Sequence, residues 1–272
     1  TKGESIGIVL GLVGAVPVRE ATGRIVSFDL IPIKDLGRPR IDVVASLSGI
    51  FRDTFSNVLA LLDELFEKAA DEQLSNDDLS VLRVAVPGQG EFNYVRKHTS
   101  SMAQAGVERP TSRLFSQPPG DFGSMVNEQV GSGEWSDSSE LGNQWESRNG
   151  FSYGSGKEAG KARPEVLKSL LSTTERVVQE VDSVEYGLTD IQEYYANTGG
   201  LKKAAENNSV KGPGAKVGIS IIEAFQANVE PKELEETLRM EYRTKLLNPA
   251  WANAMRKQGS GGAYEVSTRM TA

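Results

Sequence analysis

Residues 37–68 read GRPRIDVVASLSGIFRDTFSNVLALLDELFEK, and the rest of the chain is placed relative to this stretch. Ile41, Val43, Val44 and Leu47 form a short apolar, β-branched run bounded by turn residues, which predicts a strand covered on both faces. Ser48-Gly49 breaks that pattern. From Ile50 onward Phe51, Phe55, Val58, Leu59, Leu62, Leu65 and Phe66 recur at helical spacing, so the unit is a strand, a tight turn and a long amphipathic helix. At such a junction in an α/β fold, unpaired backbone N–H groups and the positive end of the helix dipole face a crevice at the carboxyl end of the strand. Arg52 and Asp53 stand in the first helical turn, where they either meet a ligand or pair with neighbours.

Composition narrows the function classes. A net charge of −7, from 30 basic and 37 acidic residues, leaves no basic stripe to displace phosphate counterions, so nucleic acid is not an expected partner. Cysteine is absent, which excludes disulfides, thiolate metal sites, iron–sulfur clusters and cysteine nucleophiles. No run of about 18 apolar residues exists to span a membrane. The phosphate-loop, HExxH, GxSxG and dinucleotide-binding motifs are missing, so a partner must supply any ATPase. The chain opens at Thr1 and closes on Met270-Thr271-Ala272, which reads as a segment of a longer polypeptide.

Outward from the central stretch, residues 2–18 hold a short helix ending near Gly14, and residues 23–33 alternate as a strand closed by Pro32. Residues 80–87, SVLRVAVP, suit a buried strand or an extended connection. A helix over 93–105 carries His98, the one histidine of the chain, in NYVRKH. A lone histidine is more often packed or solvated than catalytic, although its ordinary pKa suits proton transfer. Residues 111–116 predict a strand, followed by the loop QPPGDFGS (117–124), whose Gly120 would let backbone approach a flat ligand. A short helix from Ser138 carries Trp145, and Pro164 opens a helix over 164–178. Glu180, Asp182, Glu185, Asp190 and Glu193 cluster in sequence, a hydrated acidic run or a supply of oxygen ligands for a divalent ion. A helix over 191–197 stops before Gly199-Gly200, a strand covers 216–222 and a long helix 231–247. The fold expected is α/β, with mixed, mainly parallel sheet segments and flanking helices, as part of a larger multidomain subunit. An α/β domain with the strand-turn-helix crevice spans 1–150, a flexible Gly/Ser/Ala-rich linker 151–162, and a helix-rich α/β part 163–272.

GRPRIDVVASLSGIFRDTF resembles a segment of the large porphyrin-binding subunits of magnesium chelatase and cobaltochelatase, where a GRPR-(I/V)-DV strand leads into an SG-(I/V/F)-FRD turn. NYVRKH (93–98), SRLFSQPPGDFGS (112–124), LGNQWESRNGFSYG (141–154), DSVEYGLTDIQEYYANTGGL (182–201) and RTKLLNPAWANAM (243–255) resemble further blocks of the same family in the same order. The last two are closer to the chlorophyll than to the cobalt type, and residues 71–91 depart from the family in length. The resemblance implies the C-terminal part of a subunit that binds protoporphyrin IX. With AAA+ partners that hydrolyse ATP, such a subunit inserts Mg2+ for chlorophyll or bacteriochlorophyll synthesis. It would work in the cytoplasm or plastid stroma, with a membrane-peripheral position open. By the same resemblance His98 is the candidate base or metal escort. Arg52, Arg96 and Lys97 are candidate partners for propionates, with Gly120 near the ring, and Asp53 and Glu185 candidate oxygens for metal delivery. Residues 48–53, His98 and Gly120 are then expected to share one hollow. Two other readings stay open: a scaffold that docks the ATPase without chemical residues, and the cobalt enzyme of corrin synthesis.

Overall fold

A computed structural model of the chain describes residues 3–156, 159–183, 185–225 and 229–271. The first elements are α1 (Glu4–Val13), β1 (Ala15–Arg19), β2 (Ile25–Leu30), α2 (Ile33–Leu36), β3 (Ala45–Ser46), α3 (Gly49–Thr54), α4 (Ser56–Asp71), α5 (Asn76–Ala85) and α6 (Tyr94–Gln104). Then come β4 (Leu114–Ser116), α7 (Val126–Ser132), α8 (Ser139–Asn149), β5 (Phe151–Tyr153), β6 (Lys161–Ala162), α9 (Pro164–Leu171) and β7 (Arg176–Val181). The chain continues through α10 (Gln192–Asn208), β8 (Gly218–Glu223), β9 (Pro231–Glu233), α11 (Leu234–Thr244), α12 (Pro249–Lys257) and α13 (Ser260–Thr271). The fold is mixed α/β, with flanking helices, in two compact units: Thr1–Phe122 with Asn149–Leu170, and Gly123–Arg148 with Leu171–Ala272.

In the first unit, β1 and β2 form an antiparallel pair, and a four-stranded sheet runs β3-β4-β5-β6 with β3 and β4 parallel and the other neighbours antiparallel. Its core is built on α4, where Val58, Leu59, Leu62, Leu65, Phe66 and Ala69 fall on one helical face. They pack with Leu10, Phe28, Leu47, Val95 and Leu114 from the surrounding elements. Each large apolar side chain buried here contributes about 1.5–3 kcal/mol. The predicted single long helix is broken at Phe55 into α3 and α4. The strand expected over 41–47 reaches the ladder only at Ala45–Ser46. Before that its backbone bonds elsewhere, Arg40 N to Phe92 O (2.8 Å) and Ile41 N to Leu12 O (3.3 Å).

Two other expectations for this unit are corrected. Residues 80–87 belong largely to α5, because Ser75 and Asp78 form a reciprocal capping box that starts a helix. Leu79, Leu82 and Val86 then face Ile33 and Phe92 in a small satellite core, while Val81 and Val84 remain exposed. Residues 151–153 and 161–162, expected from composition to be linker, are strands β5 and β6. Their turn is tied to α4, for the Ser155 backbone N and Oγ both donate to Asp63 Oδ2 at 2.9 Å. Lys157 and Glu158 lie outside the described residues.

In the second unit the sheet order is β7-β8-β9, with β7 parallel and β9 antiparallel to β8. The helix expected over 164–178 ends at Leu171, since Val177 and Val178 pair with Ile219 and Ser220 in the ladder. Gly199-Gly200 does not stop α10, which runs on to Asn208. A Cβ on Gly200 would lie 2.9 Å from Cβ and Cδ1 of Trp145, so the glycine admits that fully buried indole, whose Nε1 donates to Asn197 Oδ1 at 2.7 Å. A Cβ on Gly142 would stand 2.7 Å from the backbone N of Ala204.

The close approach of α8 and α10 is therefore set by missing side chains. Gly142→Ala is expected to lower the urea midpoint at a cost of roughly 1–3 kcal/mol. Gly131→Ala, in α7 with nothing within 4 Å of its Cβ position, should be neutral or stabilising by up to about 1 kcal/mol.

Candidate functional site

Alternate residues of the GRPRID motif each hold a different piece of the first unit. Arg38 caps the end of α1, donating to Leu12 O (3.0 Å). Arg40, fully buried, donates to Val13 O (2.5 Å) and Ile31 O (2.7 Å) and pairs with Glu72. Burial lowers the Arg40 pKa, and Glu72 opposes that shift.

Asp42 comes next. Its Oδ1 accepts from the Val43 backbone N (3.0 Å) and from Arg113 Nε (2.7 Å), while its Oδ2 lies 2.8 Å from His98 Nδ1. Arg113, also fully buried, spends its other N–H groups on Pro110 O (2.7 Å), Ser112 O (3.0 Å) and Thr99 Oγ1 (3.0 Å). Burial works to raise the Asp42 pKa, but the Arg113 charge and the hydrogen bonds from His98 and Arg113 outweigh it and hold the carboxyl below its ordinary range. His98 is placed by α6, which Asn93 starts by accepting from Arg96 N (3.0 Å) and fastens to α4 by donating to Ala69 O (2.8 Å). The His98 side chain keeps 22% of its surface open, against 5% for Asp42. The arrangement is a partly open imidazole backed by a buried carboxylate, the geometry of a general base or a metal-binding histidine.

Arg52 and Gly120 lie at the other end of the parallel pair. In the register Ala45↔Leu114 and Ser46↔Phe115, Asp42 and Arg113 precede the strands, whereas residues 48–53 and 117–122 follow them. The five residues from Asp42 to Leu47 span at most roughly 16 Å. The β3–β4 pair thus stands between the two sets of residues expected to share one hollow.

Arg52 is committed to its own end. It is nearly fully buried, pairs with Asp53 (Nε to Oδ1, 2.7 Å) and donates to the carbonyls of Gln117 (3.0 Å), Pro118 (3.2 Å) and Asp121 (3.3 Å). Its guanidinium also lies 5.3 Å from the centroid of the Tyr153 ring and 5.6 Å from that of Phe122. Hydrogen bonding to Asp53 raises the Arg52 pKa, and the same contact lowers that of Asp53. Arg52 therefore fastens the 117–122 loop, and Asp53 neutralises Arg52. Gly120 is exposed with φ 87°, where a side chain would be strained. Gly49 is required by Phe122, whose Cε1 would stand 2.9 Å from an added Cβ.

Arg96 and Lys97, the two residues before His98 on α6, have contacts of their own. Arg96 donates to Ala70 O (3.2 Å) and Asp71 O (3.3 Å), and Lys97 Nζ sits 5.5 Å from the Tyr94 ring centroid. Both line a cleft of ≈ 250 Å³ with Glu72, Leu79, Glu91 and Ser100. Glu185 belongs to the second unit and is exposed. Among the described residues, no three His, Asp or Glu side chains gather as a metal cluster.

Sequence reading missed Asp42 and Arg113. The signal available was a carboxylate inside an apolar strand, which must find a cation if it is buried. It also missed that the side chain of Asp190, in the acidic run, is only 2% exposed. Asp190 accepts from Gly187 N (2.6 Å) and Arg269 Nε (2.8 Å) and pairs with Lys245, while Glu241 binds the backbone N of Leu188 (2.6 Å) and Thr189 (2.9 Å). Those acids lock a segment to α11 and α13.

Arg113→Met would leave Asp42 buried without its cation, and is expected to cost about 3–5 kcal/mol at pH 7 in denaturant unfolding. The Asp42 contribution is present above its unfolded pKa of 3.8 and is lost as pH falls toward the lower folded value, so the gap between the two proteins should narrow below pH 3.8. Arg52→Lys cannot span three carbonyls. Amide exchange at residues 120–122 should rise about 10- to 100-fold, as expected for losing bonds of roughly 1 kcal/mol each.

Comparison with known proteins places the chain. The sequence model of the CobN/Magnesium Chelatase family matches residues 1–272. The chain is 37% identical to the magnesium-chelatase H subunit of Chlorobaculum parvum, over 100% of this chain and 20% of that protein. It is 32% identical to the chloroplastic magnesium-chelatase ChlH protein of Oryza sativa subsp. indica, over 100% of this chain and 19% of that protein. It is 29% identical to the aerobic cobaltochelatase CobN protein of a Sinorhizobium species, over 98% of this chain and 20% of that protein. The solved catalytic subunit of cobaltochelatase from Mycobacterium tuberculosis superposes with a TM-score of 0.84 at 27% identity, covering 98% of this chain and 21% of that one. The chain thus spans about a fifth of the length of these relatives. It belongs to the CobN/magnesium chelatase family.

Proposed function

We propose that this chain is a segment of the porphyrin-binding subunit of an ATP-dependent magnesium chelatase, which inserts Mg2+ into protoporphyrin IX while AAA+ partner subunits hydrolyse the ATP. The observation that carries this reading is the 37% identity, over the whole chain, to a protein named as the H subunit of magnesium chelatase. The absence of a phosphate-loop motif from the sequence fits a division of labour in which the nucleotide is handled elsewhere.

The reaction makes demands that the first unit can meet in part. Two pyrrole N–H bonds must break while their electron pairs stay on nitrogen for the metal, so a base is needed close to the ring. His98, partly open and backed by Asp42, is the best-placed group for that step. Mg2+ is a substrate here, and a chamber that released it from water without binding it in a closed cage would serve insertion. Of the three cations proposed for the propionates, the exposed Lys97 keeps that role better than Arg52 and Arg96, which are spent on backbone carbonyls. Asp53 and Glu185 remain proposals for metal delivery. Asp53 would have to give up Arg52 to act, which makes it the weaker of the two.

A second reading, the cobalt enzyme, is favoured by the cobaltochelatase structure that superposes on nearly the whole chain. Metal preference of the complete complex separates the two, with Mg2+ inserted faster than Co2+ if the chain serves a magnesium chelatase. In the full-length subunit with its partners, His98→Ala is expected to slow insertion roughly 100-fold or more, the usual worth of a general base. Porphyrin binding, followed by fluorescence quenching, should be unchanged. Wild-type insertion by the variant would remove His98 from the chemistry, and a subunit that quenches no porphyrin fluorescence would support the scaffold reading instead.

A further inference from the structure

Asp42 divides its two oxygens between two tasks. Oδ1 takes the Val43 N–H and the Arg113 Nε–H, and Oδ2 is left for His98 Nδ1. Arg113 cannot swing, because its remaining N–H groups are held by Pro110 O, Ser112 O and Thr99 Oγ1. The carboxylate therefore has a fixed position and orientation before the imidazole meets it. Facing His98 are Asp42 from the 40–45 segment, Arg113 behind it from the start of β4, and Tyr94 on α6 itself, whose ring centroid is 6.1 Å from that of His98.

A carboxylate paired with a guanidinium is ionised and can only accept hydrogen bonds. The shared contact with His98 then requires the proton to sit on Nδ1. Neutral imidazole carries one N–H and one lone pair, so the lone pair is left on Nε2.

We propose that Asp42, clamped by Arg113, is the positioning residue for His98: it fixes the Nδ1–H tautomer and leaves Nε2 as the one nitrogen able to take a pyrrole proton or accept a metal ion. This deepens the chelatase reading and rests on it for the identity of the proton donor, but the tautomer stands apart from that reading. In the step itself a pyrrole N–H bond breaks and its electron pair stays on the pyrrole nitrogen. The proton forms a new bond to Nε2, and the resulting imidazolium is stabilised by the anion already at Nδ1. Release of that proton to water frees Nε2 for the second pyrrole proton. Outer-shell carboxylates of this kind are typically worth about 10- to 100-fold in activity or metal affinity.

His98 is the one histidine of the chain, so its ring gives a single set of imidazole nitrogen signals. In the 15N-histidine-labelled chain, at a pH where the ring is neutral, long-range proton–nitrogen spectra should show a protonated Nδ1 and a bare Nε2. A protonated Nε2, or the averaged shifts of two exchanging tautomers, would overturn the proposal without any variant being needed. In the complete enzyme, Asp42→Asn should slow insertion about 10- to 100-fold. The labelled Asp42→Asn chain should no longer show Nδ1 as the one protonated ring nitrogen, and porphyrin quenching should stay unchanged. An unaltered rate and ring-nitrogen pattern in Asp42→Asn, alongside a large loss in His98→Ala, would overturn the positioning role while leaving His98 as the base. A silent His98→Ala would sink the functional reading and leave the tautomer result to decide this one.

Discussion

The contact between the Asp42 carboxylate and Arg113 is the constraint from which the rest of the first unit follows. Both groups are out of water, and a buried charge without a partner costs several kcal/mol, so the three segments that carry Asp42, Arg113 and His98 must converge. Their convergence sets where α6 lies and where β4 begins beside β3. Arg40, two residues earlier, repeats the device on the other side of the same segment, gathering the ends of α1, β2 and α4. Apolar packing on α4 supplies most of the driving force, and the buried ion pairs specify which of several similar arrangements it stabilises.

The two ends of the parallel pair have separate duties. At the carboxyl end Arg52 fastens a proline- and glycine-rich loop by three carbonyls and two aromatic rings, and Gly49 leaves room for Phe122. That end, where α/β folds commonly bind ligands, is occupied here by the protein's own loop. At the amino end a histidine remains partly open behind a carboxylate that is already fixed. Chemistry is therefore better supported at the end that fold-level analogy would have passed over.

Much of this was legible in the sequence. The apolar face of α4, the helix carrying His98, the Gly14 stop of α1, the strand before QPPGDFGS and its fixed loop follow from spacing and turn chemistry alone. Residues 80–87 mislead because Val81, Val84 and Val86 imitate a strand, while the Ser75–Asp78 cap that decides the matter is a local hydrogen-bond pattern outside the apolar run. Gly200 reads as a breaker until the Trp145 ring it admits is known. The roles of Arg52 and Asp42 are hidden for a shared reason: the partners lie about 65 and 71 residues away in sequence, where periodicity carries no information. Family resemblance singled out His98, Arg96 and Lys97 together, but carried no information on their separate contacts: Asp42 for His98, the carbonyls of Ala70 and Asp71 for Arg96, and the Tyr94 ring for Lys97.

The central claim is that proton removal from the macrocycle occurs at Nε2 of His98, at the amino end of the β3–β4 pair. A structure of the full-length subunit with protoporphyrin IX bound tests it most directly. The account predicts a pyrrole nitrogen within about 2.6–3.2 Å of Nε2, or joined to it through one water. A macrocycle seated elsewhere, with no pyrrole nitrogen within reach of one bridging water from His98, would contradict it.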